Sequence, residues 1–87
     1  MPSEKQMLSR KLPVFAGRFQ PLHKGHLEVM RRLSKGGRFA VVIGSVQEFG
    51  TDKNPFNFAE RKEMIEGALK EAGIKNFRIY GVVDFLR

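Results

Sequence analysis

Cysteine is absent from this sequence of 87 residues, and so is any apolar run approaching the roughly 20 residues that a helix needs to cross a bilayer. Without cysteine the chain has neither a disulfide framework nor a thiolate metal site. Residues 1–11 form a polar, charged arm without the apolar centre of a secretory signal. The sequence also has no internal repeat, low-complexity tract or interdomain linker. Together these absences predict a cytoplasmic protein with no membrane partner.

Acidic residues are scarce relative to basic ones. Nine Asp and Glu stand against 16 Lys and Arg, which gives a formal net charge of +7 and an isoelectric point near 10.3. Such a surplus favours nucleic acid or nucleotide phosphates as partners, although a solvated surface also needs charge to stay soluble. Nucleic acid is the less favoured partner, because no aromatic RNA-binding signature interleaves the basic residues between positions 31 and 38.

The length allows at most one small domain, and hydrophobic periodicity divides it into five elements. We expect a strand over 12–16, a helix over 25–34, a strand over 39–44, a helix between Asn57 and Gly73, and a strand over 77–83. The second strand is an unbroken apolar run rich in β-branched residues, so we expect it to be covered on both faces. The second helix is the best specified, because Asn57 and Glu60 fit a capping box.

The order β-α-β-α-β predicts a parallel sheet with right-handed crossovers. It corresponds to one mononucleotide-binding half of a doubly wound, Rossmann-like three-layer α/β/α fold. The first strand is central in the complete topology, so one of its edges is bare in this chain although the strand is apolar. Complete proteins cover such an edge. We therefore expect a second half of the domain, or a partner subunit in a homo-oligomer, to pair with it.

The most informative segment runs from Gly17 to His26 and joins the first strand to the first helix. Backbone N–H groups at a helix start are unpaired and bind anions. Arg18, Lys24 and two imidazoles add donors and charge to this turn, and Gly25 leaves room for close backbone approach. The segment therefore predicts a site for several phosphate oxygens.

This turn, His23-Lys24-Gly25-His26, resembles the His-x-Gly-His motif of the nucleotidyltransferase superfamily. With the upstream block Gly17-Arg18-Phe19-Gln20-Pro21 it is more narrowly similar to the archaeal-type nicotinamide-nucleotide adenylyltransferases. Further elements that resemble this family are Gly44-Ser45-Val46-Gln47, Asn54-Pro55-Phe56 and Glu60-Arg61 followed by Met64-Ile65. The resemblance runs from Val14 to about Asp84, so residues 12–87 are interpreted as the N-terminal part of a single nucleotidyltransferase domain.

The chain departs from the family's pattern in three places. Phe49-Gly50-Thr51 replaces the family's Ser-His-Thr, and Asn57-Phe58-Ala59 replaces Thr-x-Gly or Thr-x-Glu. The later Ser-x-Thr-x-x-Arg signature, which helps to hold the ATP phosphates in the family, has no counterpart among the 87 residues. The first two departures bear on substrate preference, and the third bears on whether these residues are active by themselves.

The resemblance implies a reaction in which a phosphate oxygen of nicotinamide mononucleotide attacks the α-phosphorus of ATP, giving NAD and pyrophosphate. Such a transfer needs positioning and charge neutralisation more than a protein nucleophile. The implied catalytic residues are His23 and His26, which donate hydrogen bonds to the triphosphate with His26 nearest the α-phosphate, and Arg18, which bridges outer phosphate oxygens. ATP and Mg²⁺ are implied, the ion being held mostly by the phosphates; no metal-binding residue is predicted.

The other implied nucleotide contacts are Gly17, Phe19, Gln20, Lys24, Gly25, Gly44, Ser45, Gln47, Asn54, Phe56 and Arg61. Gln20 is also expected to shape the turn. Phe56 fits either stacking on a base or a hydrophobic staple for the second helix. Arg61 fits either an anion contact or a salt bridge, and Asp84 is a further candidate for contact with substrate or metal.

Three alternative functions stay open. A related enzyme of the superfamily adenylylates flavin mononucleotide or phosphopantetheine, or transfers cytidylyl groups, through the same phosphate site. A nucleotide-binding module without activity is compatible with the missing second signature. A small basic nucleic-acid-binding protein is compatible with the charge.

Overall fold

The computed structural model describes residues 12–83 and contains three strands and two helices in the predicted order. The elements are β1 (Val14–Gly17), α1 (Lys24–Lys35), β2 (Phe39–Ile43), α2 (Phe58–Glu71) and β3 (Phe77–Gly81). Each predicted element is confirmed, with ends shifted by one or two residues. The predicted polar arm and Asp84 lie outside the described residues.

Helix α2 begins and ends where its sequence predicts. The side chain of Asn57 accepts a hydrogen bond from the Glu60 N–H at 2.8 Å, and the Glu60 carboxylate accepts one from the Asn57 N–H at 2.9 Å. This reciprocal pair confirms the capping box. At the other end Gly73 has φ +77°, a left-handed conformation that glycine adopts more easily than other residues and that commonly ends helices.

The three strands form a parallel sheet in the order β1-β2-β3. Phe15 of β1 lies opposite Val41 of β2, which lies opposite Ile79 of β3. Two consecutive crossovers in the same direction place both helices on one face of the sheet. The parallel βαβαβ half of a Rossmann-like fold is therefore confirmed, and residues 12–83 supply two of its three layers.

The core lies between β2 and the two helices. Phe39, Val41 and Ile43 project from one side of β2 and are buried in a cluster with Met30 of α1 and Ile65 of α2. Burial of these side chains provides the main stabilisation, at roughly 1.5–3 kcal/mol for each large apolar side chain. The central strand thus anchors both helices, and their amino ends are held near the carboxyl edge of the sheet.

The opposite face of the sheet carries no helix from residues 12–83. Val14 of β1 is 58% exposed, and Tyr80 of β3 is 50% exposed. Between them Val42 is half-buried, whereas Ala40 is buried beneath its neighbours. Burial of β2 is therefore almost complete, but helices cover only one of its faces. The prediction that a second half or a partner subunit pairs with the bare edge of β1 stays a prediction.

Neither of the two helices in residues 12–83 is long and apolar enough to span a bilayer.

Replacing Asn57 by Ala removes the side-chain acceptor at the start of α2 and is expected to lower the free energy of unfolding by about 1 kcal/mol. Asn57→Asp keeps an acceptor at the same position and should leave stability nearly unchanged. Urea denaturation followed by circular dichroism measures both. An Ala variant as stable as the wild type would contradict the capping role.

Candidate phosphate-binding site at the start of helix α1

The predicted site residues lie where the chain leaves β1 and β2. One loop joins β1 to α1, and a second loop joins β2 to α2. Both loops start at the carboxyl edge of the parallel sheet, where ligands of this fold class bind. The Gly44 N–H donates to the Gly17 carbonyl at 2.8 Å, which joins the two loops at their first residues.

His23 and His26 close the amino end of α1 as a reciprocal pair. His23 is the N-cap residue, and its Nδ1 accepts hydrogen bonds from the N–H groups of Gly25 at 3.1 Å and His26 at 3.4 Å. In return the His26 Nδ1 accepts a hydrogen bond from the His23 N–H at 3.1 Å. Each imidazole thus satisfies backbone donors that would otherwise be unpaired at the helix start.

These bonds assign the tautomer of both rings. A nitrogen that accepts a hydrogen bond carries no proton, so the proton of each neutral ring resides on Nε2. The rings of His23 and His26 are stacked, with centroids 3.6 Å apart and planes 20° from parallel. The pair therefore presents two Nε2–H donors side by side, which suits neighbouring oxygens of one anion.

Phe19 supports the inner ring of the pair. Its side chain is buried, and its ring meets His26 edge-on with centroids 4.7 Å apart. The ring of Phe15 lies 5.7 Å from that of Phe19, also edge-on, and 6.0 Å from that of His26, so the three rings form one cluster. Burial, followed by the nearby His23, lowers the pKa of His26. His26 is therefore neutral near pH 7, as its acceptor role in the helix cap requires.

Arg18 lies beside the imidazoles on the first loop. Its side chain is 49% exposed and forms a salt bridge with Glu48 of the second loop, with Nη1 3.5 Å from Oε1. Exposed pairs of this kind contribute little, about 0–1 kcal/mol. A phosphate can therefore compete for this guanidinium. Both of its roles, the surface ion pair present here and the predicted anion contact, are compatible with this position.

Gln20 fastens the second loop to the first. Its Nε2 donates to the carbonyls of Phe56 at 2.8 Å and Glu48 at 3.3 Å, and its Oε1 accepts from the Phe56 N–H at 2.9 Å. The donor and the acceptor of the amide are thus both hydrogen-bonded to backbone groups. The side chain has the position expected of a residue that shapes the turn, and the predicted contact of Gln20 with nucleotide stays a prediction.

Arg61 was expected to contact the nucleotide or to form a salt bridge, but in the structure it is buried between the two loops. Its side chain is 0% exposed. Its guanidinium donates to the carbonyls of Arg18, Gly44, Ser45 and Asn57. The salt bridge that formed the alternative expectation is not made within residues 12–83 either, because the acceptors are backbone oxygens.

Two glycines leave space for the aromatic side chains of the site. A Cβ on Gly25 would lie 3.0 Å from Cε1 of His23, and one on Gly17 would lie 3.1 Å from Cζ of Phe19. Both distances are tighter than normal carbon contacts. These glycines therefore permit the ring positions described above, in addition to the close approach of a ligand that was predicted for Gly25.

The remaining predicted contacts lie on the rim of the two loops. Lys24 and Gln47 are exposed, whereas Asn54 and Phe56 are half-buried. Asn54 is bonded within its own loop, where its N–H donates to Oγ1 of Thr51 at 3.0 Å. These side chains share the site's edge of the sheet with the histidines, but the hydrogen bonds and ring contacts described here do not link them to the imidazoles.

Three features of the site were not predicted: the helix cap formed by the two histidines, two positive φ angles and the burial of Arg61. The spacing of His23 and His26, N-cap and N3, is that of a capping box, so this role was readable from the sequence. The positive φ angles of Phe19 and Ser45, +54° and +52°, carry no sequence signal because neither residue is glycine. The burial of Arg61 was hidden for a similar reason, since arginine is rarely fully buried.

A concavity with a volume of about 570 Å³ lies at the amino ends of the strands and along β3. Its lining includes Leu12, Arg38 and Lys75, which precede strands, and Phe77 and Tyr80 of β3. Ligands of open parallel sheets bind at the carboxyl ends of the strands, not at these amino ends. The histidine site is therefore the better candidate. No group of three potential metal-binding side chains is found within residues 12–83.

The family model described as Cytidylyltransferase-like matches residues 14–86. The nicotinamide-nucleotide adenylyltransferase of Saccharolobus solfataricus is 44% identical over 68 residues, which are 77% of this chain and 40% of that protein. The enzyme of the same name from Pyrococcus abyssi is 46% identical over 63 residues, 71% of this chain and 34% of that protein. The chain thus spans well under half the length of these curated relatives.

A solved structure resembles the fold as well. It is a bifunctional NMN adenylyltransferase/ADP ribose pyrophosphatase from Francisella tularensis, crystallised with AMP and a Mn ion. The superposition has a TM-score of 0.77 at 41% sequence identity, and it covers 86% of this chain and 23% of that one.

The lowered pKa of His26 predicts how stability depends on pH. Between this pKa and the ordinary value of 6.5, the unfolded chain binds more protons than the folded chain. The contribution of neutral His26 is therefore fully present above pH 6.5 and is lost as pH falls through the folded-state pKa. Protonated His26 cannot accept the His23 N–H, which weakens a cap worth about 1 kcal/mol.

His26→Gln provides the control, because glutamine at N3 keeps a capping acceptor but does not titrate. The free energy of unfolding, measured by urea titration at a series of pH values, should fall more steeply below pH 6.5 in the wild type than in this variant. Parallel pH profiles for the two proteins would contradict the prediction.

Proposed function

Because this chain belongs to the cytidylyltransferase-like family, we propose that it forms the ATP-binding part of a nicotinamide-nucleotide adenylyltransferase. The whole protein would transfer the adenylyl group of ATP to nicotinamide mononucleotide and so make NAD. One observation carries the proposal. Two stacked imidazoles, locked in the Nε2–H tautomer by the helix cap, present adjacent donors at the amino end of α1.

Adenylyl transfer depends mainly on how the protein positions the attacking phosphate and the triphosphate. A phosphate oxygen of the mononucleotide attacks the α-phosphorus in line, the α–β bridging bond breaks, and pyrophosphate leaves with the electron pair. The Nε2–H groups of His23 and His26 donate to triphosphate oxygens, His26 nearest the α-phosphate. Because both donors are oriented before substrate binds, they stabilise developing charge without reorganisation.

Charge neutralisation comes from the first loop and the helix. Arg18 leaves Glu48 and takes up oxygens of the outer phosphates, since a guanidinium can bridge two oxygens at once. Lys24 adds an exposed positive charge in the first turn of α1, where the helix dipole also favours anions. ATP would carry Mg²⁺ on its phosphate oxygens, and the ion would supply Lewis-acid stabilisation of charge when bound.

The acceptor nucleotide belongs on the side of the second loop. This loop contains Gly44, Gln47, Asn54 and Phe56, and the Gln20 amide holds it in position. Phe56 offers an aromatic surface for the nicotinamide ring. The substitution of Phe49-Gly50-Thr51 for the family's Ser-His-Thr lies in the same loop, so a related acceptor is the main alternative. We further propose a cytoplasmic location and assembly into a homo-oligomer.

The histidine site can be tested without disturbing the helix cap. Serine is a good N-cap residue and carries no N–H group, so His23→Ser retains the cap while it removes the imidazole donor. His26→Gln retains a capping acceptor at N3 and replaces the oriented imidazole donor by a flexible amide. Hydrogen bonds to charged groups contribute about 1.5–3 kcal/mol, so each variant should bind ATP roughly 10–100-fold more weakly. Titration calorimetry on the 87-residue chain measures the affinity.

Lys35→Ala is the matched control, because Lys35 is exposed and lies at the other end of α1, about 18 Å along the helix axis from His23. It removes a positive charge but should leave ATP affinity within about twofold. Equal losses of ATP affinity in all three variants would show that binding depends on the general positive charge of the chain and not on the histidine site. Turnover of nicotinamide mononucleotide, flavin mononucleotide and phosphopantetheine by the full-length protein then distinguishes the acceptors.

A further inference from the structure

We propose that Arg61 is a positioning residue: its buried guanidinium holds both loops of the site at the points where they leave the sheet and, through Phe19, holds the ring of His26. This inference concerns a contact within the protein and gives Arg61 a role other than binding phosphate. Its affinity readout rests on the proposed function, whereas its structural readout does not.

The hydrogen bonds of Arg61 reach three separate segments. Nη1 donates to the Arg18 carbonyl at 3.1 Å and to the Gly44 carbonyl at 3.0 Å, while Nη2 donates to the Ser45 carbonyl at 3.3 Å. Nε donates to the carbonyl of Asn57, the N-cap residue of α2, at 3.2 Å. One planar group therefore connects the first loop, the second loop and the start of α2.

The carbonyls bonded to Nη1 precede the two non-glycine residues within 12–83 that have a positive φ. Arg18 precedes Phe19, at φ +54°, and Gly44 precedes Ser45, at φ +52°. A residue other than glycine is disfavoured in this region, because its Cβ lies too close to the following carbonyl oxygen. A carbonyl and the following N–H lie in one rigid peptide plane. By fixing these planes, Nη1 helps to hold both residues in a conformation they would otherwise leave.

Arginine is suited to this position and lysine is not. The guanidinium presents five donors in a rigid plane, and four N–H···O contacts are made here. Burial lowers the pKa of Arg61, as does Arg18, while Glu48 raises it. The ordinary pKa of arginine lies so far above neutral pH that the group stays charged there. Charge strengthens each bond to a carbonyl in the interior.

The connection to the phosphate donors runs through one side chain. The plane held by Nη1 leads directly into Phe19, whose buried ring meets the His26 ring at a centroid distance of 4.7 Å. His26 in turn is stacked on His23. A rotation of the Arg18–Phe19 peptide would move the Phe19 ring and remove the support of His26. Arg18, the predicted phosphate cation, would move with the same peptide.

The decisive variant is Arg61→Lys, which keeps a positive charge and loses the planar fork. Two-dimensional NMR of the 87-residue chain should show shifted imidazole signals of His26 and faster exchange of the amide protons of Gly44 and Val46, which are hydrogen-bonded to the carbonyls of Gly17 and Val82. ATP affinity should fall at least tenfold. The surface variant Lys70→Arg, at an exposed position in the last turn of α2, is the matched control and should leave both readouts unchanged.

Ser45→Gly tests the strain directly, because glycine adopts positive φ at little cost and needs less support there. The fold-loss of ATP affinity caused by Arg61→Lys should therefore be at least three times smaller in the Ser45→Gly background than in the wild type. This double-mutant comparison separates positioning from a direct ligand contact, since loss of a direct contact would be independent of residue 45.

Phe19→Leu covers the case in which Arg61→Lys does not fold. It removes the aromatic edge against His26 but retains a large apolar side chain, and it should shift the imidazole signals of His26. Unchanged His26 signals in either variant would overturn the proposal, and so would reduced ATP affinity with the signals in place. A wild-type chain that binds no ATP would defeat the proposed function, yet the NMR comparison would still decide the role of Arg61.

Discussion

Two imidazoles at the start of α1 each have two tasks that depend on one protonation state. As acceptors at Nδ1, His23 and His26 close the helix, and as donors at Nε2 they face a prospective phosphate. Only the neutral ring can do both, because a protonated Nδ1 no longer accepts a hydrogen bond. The helix cap therefore selects the tautomer that the chemistry needs, and folding of the helix orients the donors before any ligand arrives. This arrangement reduces the reorganisation required on binding.

The cations of the site are divided between exposed and buried positions. Arg18 is half exposed and held by a weak salt bridge, so an anion can recruit it. Arg61 is fully buried and is engaged by backbone carbonyls on three sides. The resemblance implied a nucleotide contact for both residues, yet their surroundings give them different roles. The exposed cation is available to a ligand, and the buried one stabilises the loops from which the ligand contacts project.

Much of the fold was predictable from local pattern. The apolar run over β2, the stripe of α1 and the capping box of α2 are local signals, and each corresponds to an element within two residues. The parallel order followed from alternation of strands and helices, because crossovers of one hand leave few topologies. The position of the site followed as well, since a glycine-containing turn between strand and helix lies at the carboxyl edge. A role for Gln20 in shaping the turn was predicted, but the partners of Gln20 and Arg61 were not, because they lie 36 and 43 residues away along the chain.

The sequence by itself determined which segments become helices and strands and which residues could meet a phosphate, since these depend on periodicity, caps and residue chemistry within a few positions. Tertiary structure alone decided that Phe19 and Ser45 adopt left-handed backbone conformations and that Arg61 is buried between them. The physical reason is that both outcomes need several segments at once. The guanidinium finds its acceptors only where β1, β2 and α2 converge, and the two turns are held only once it is there.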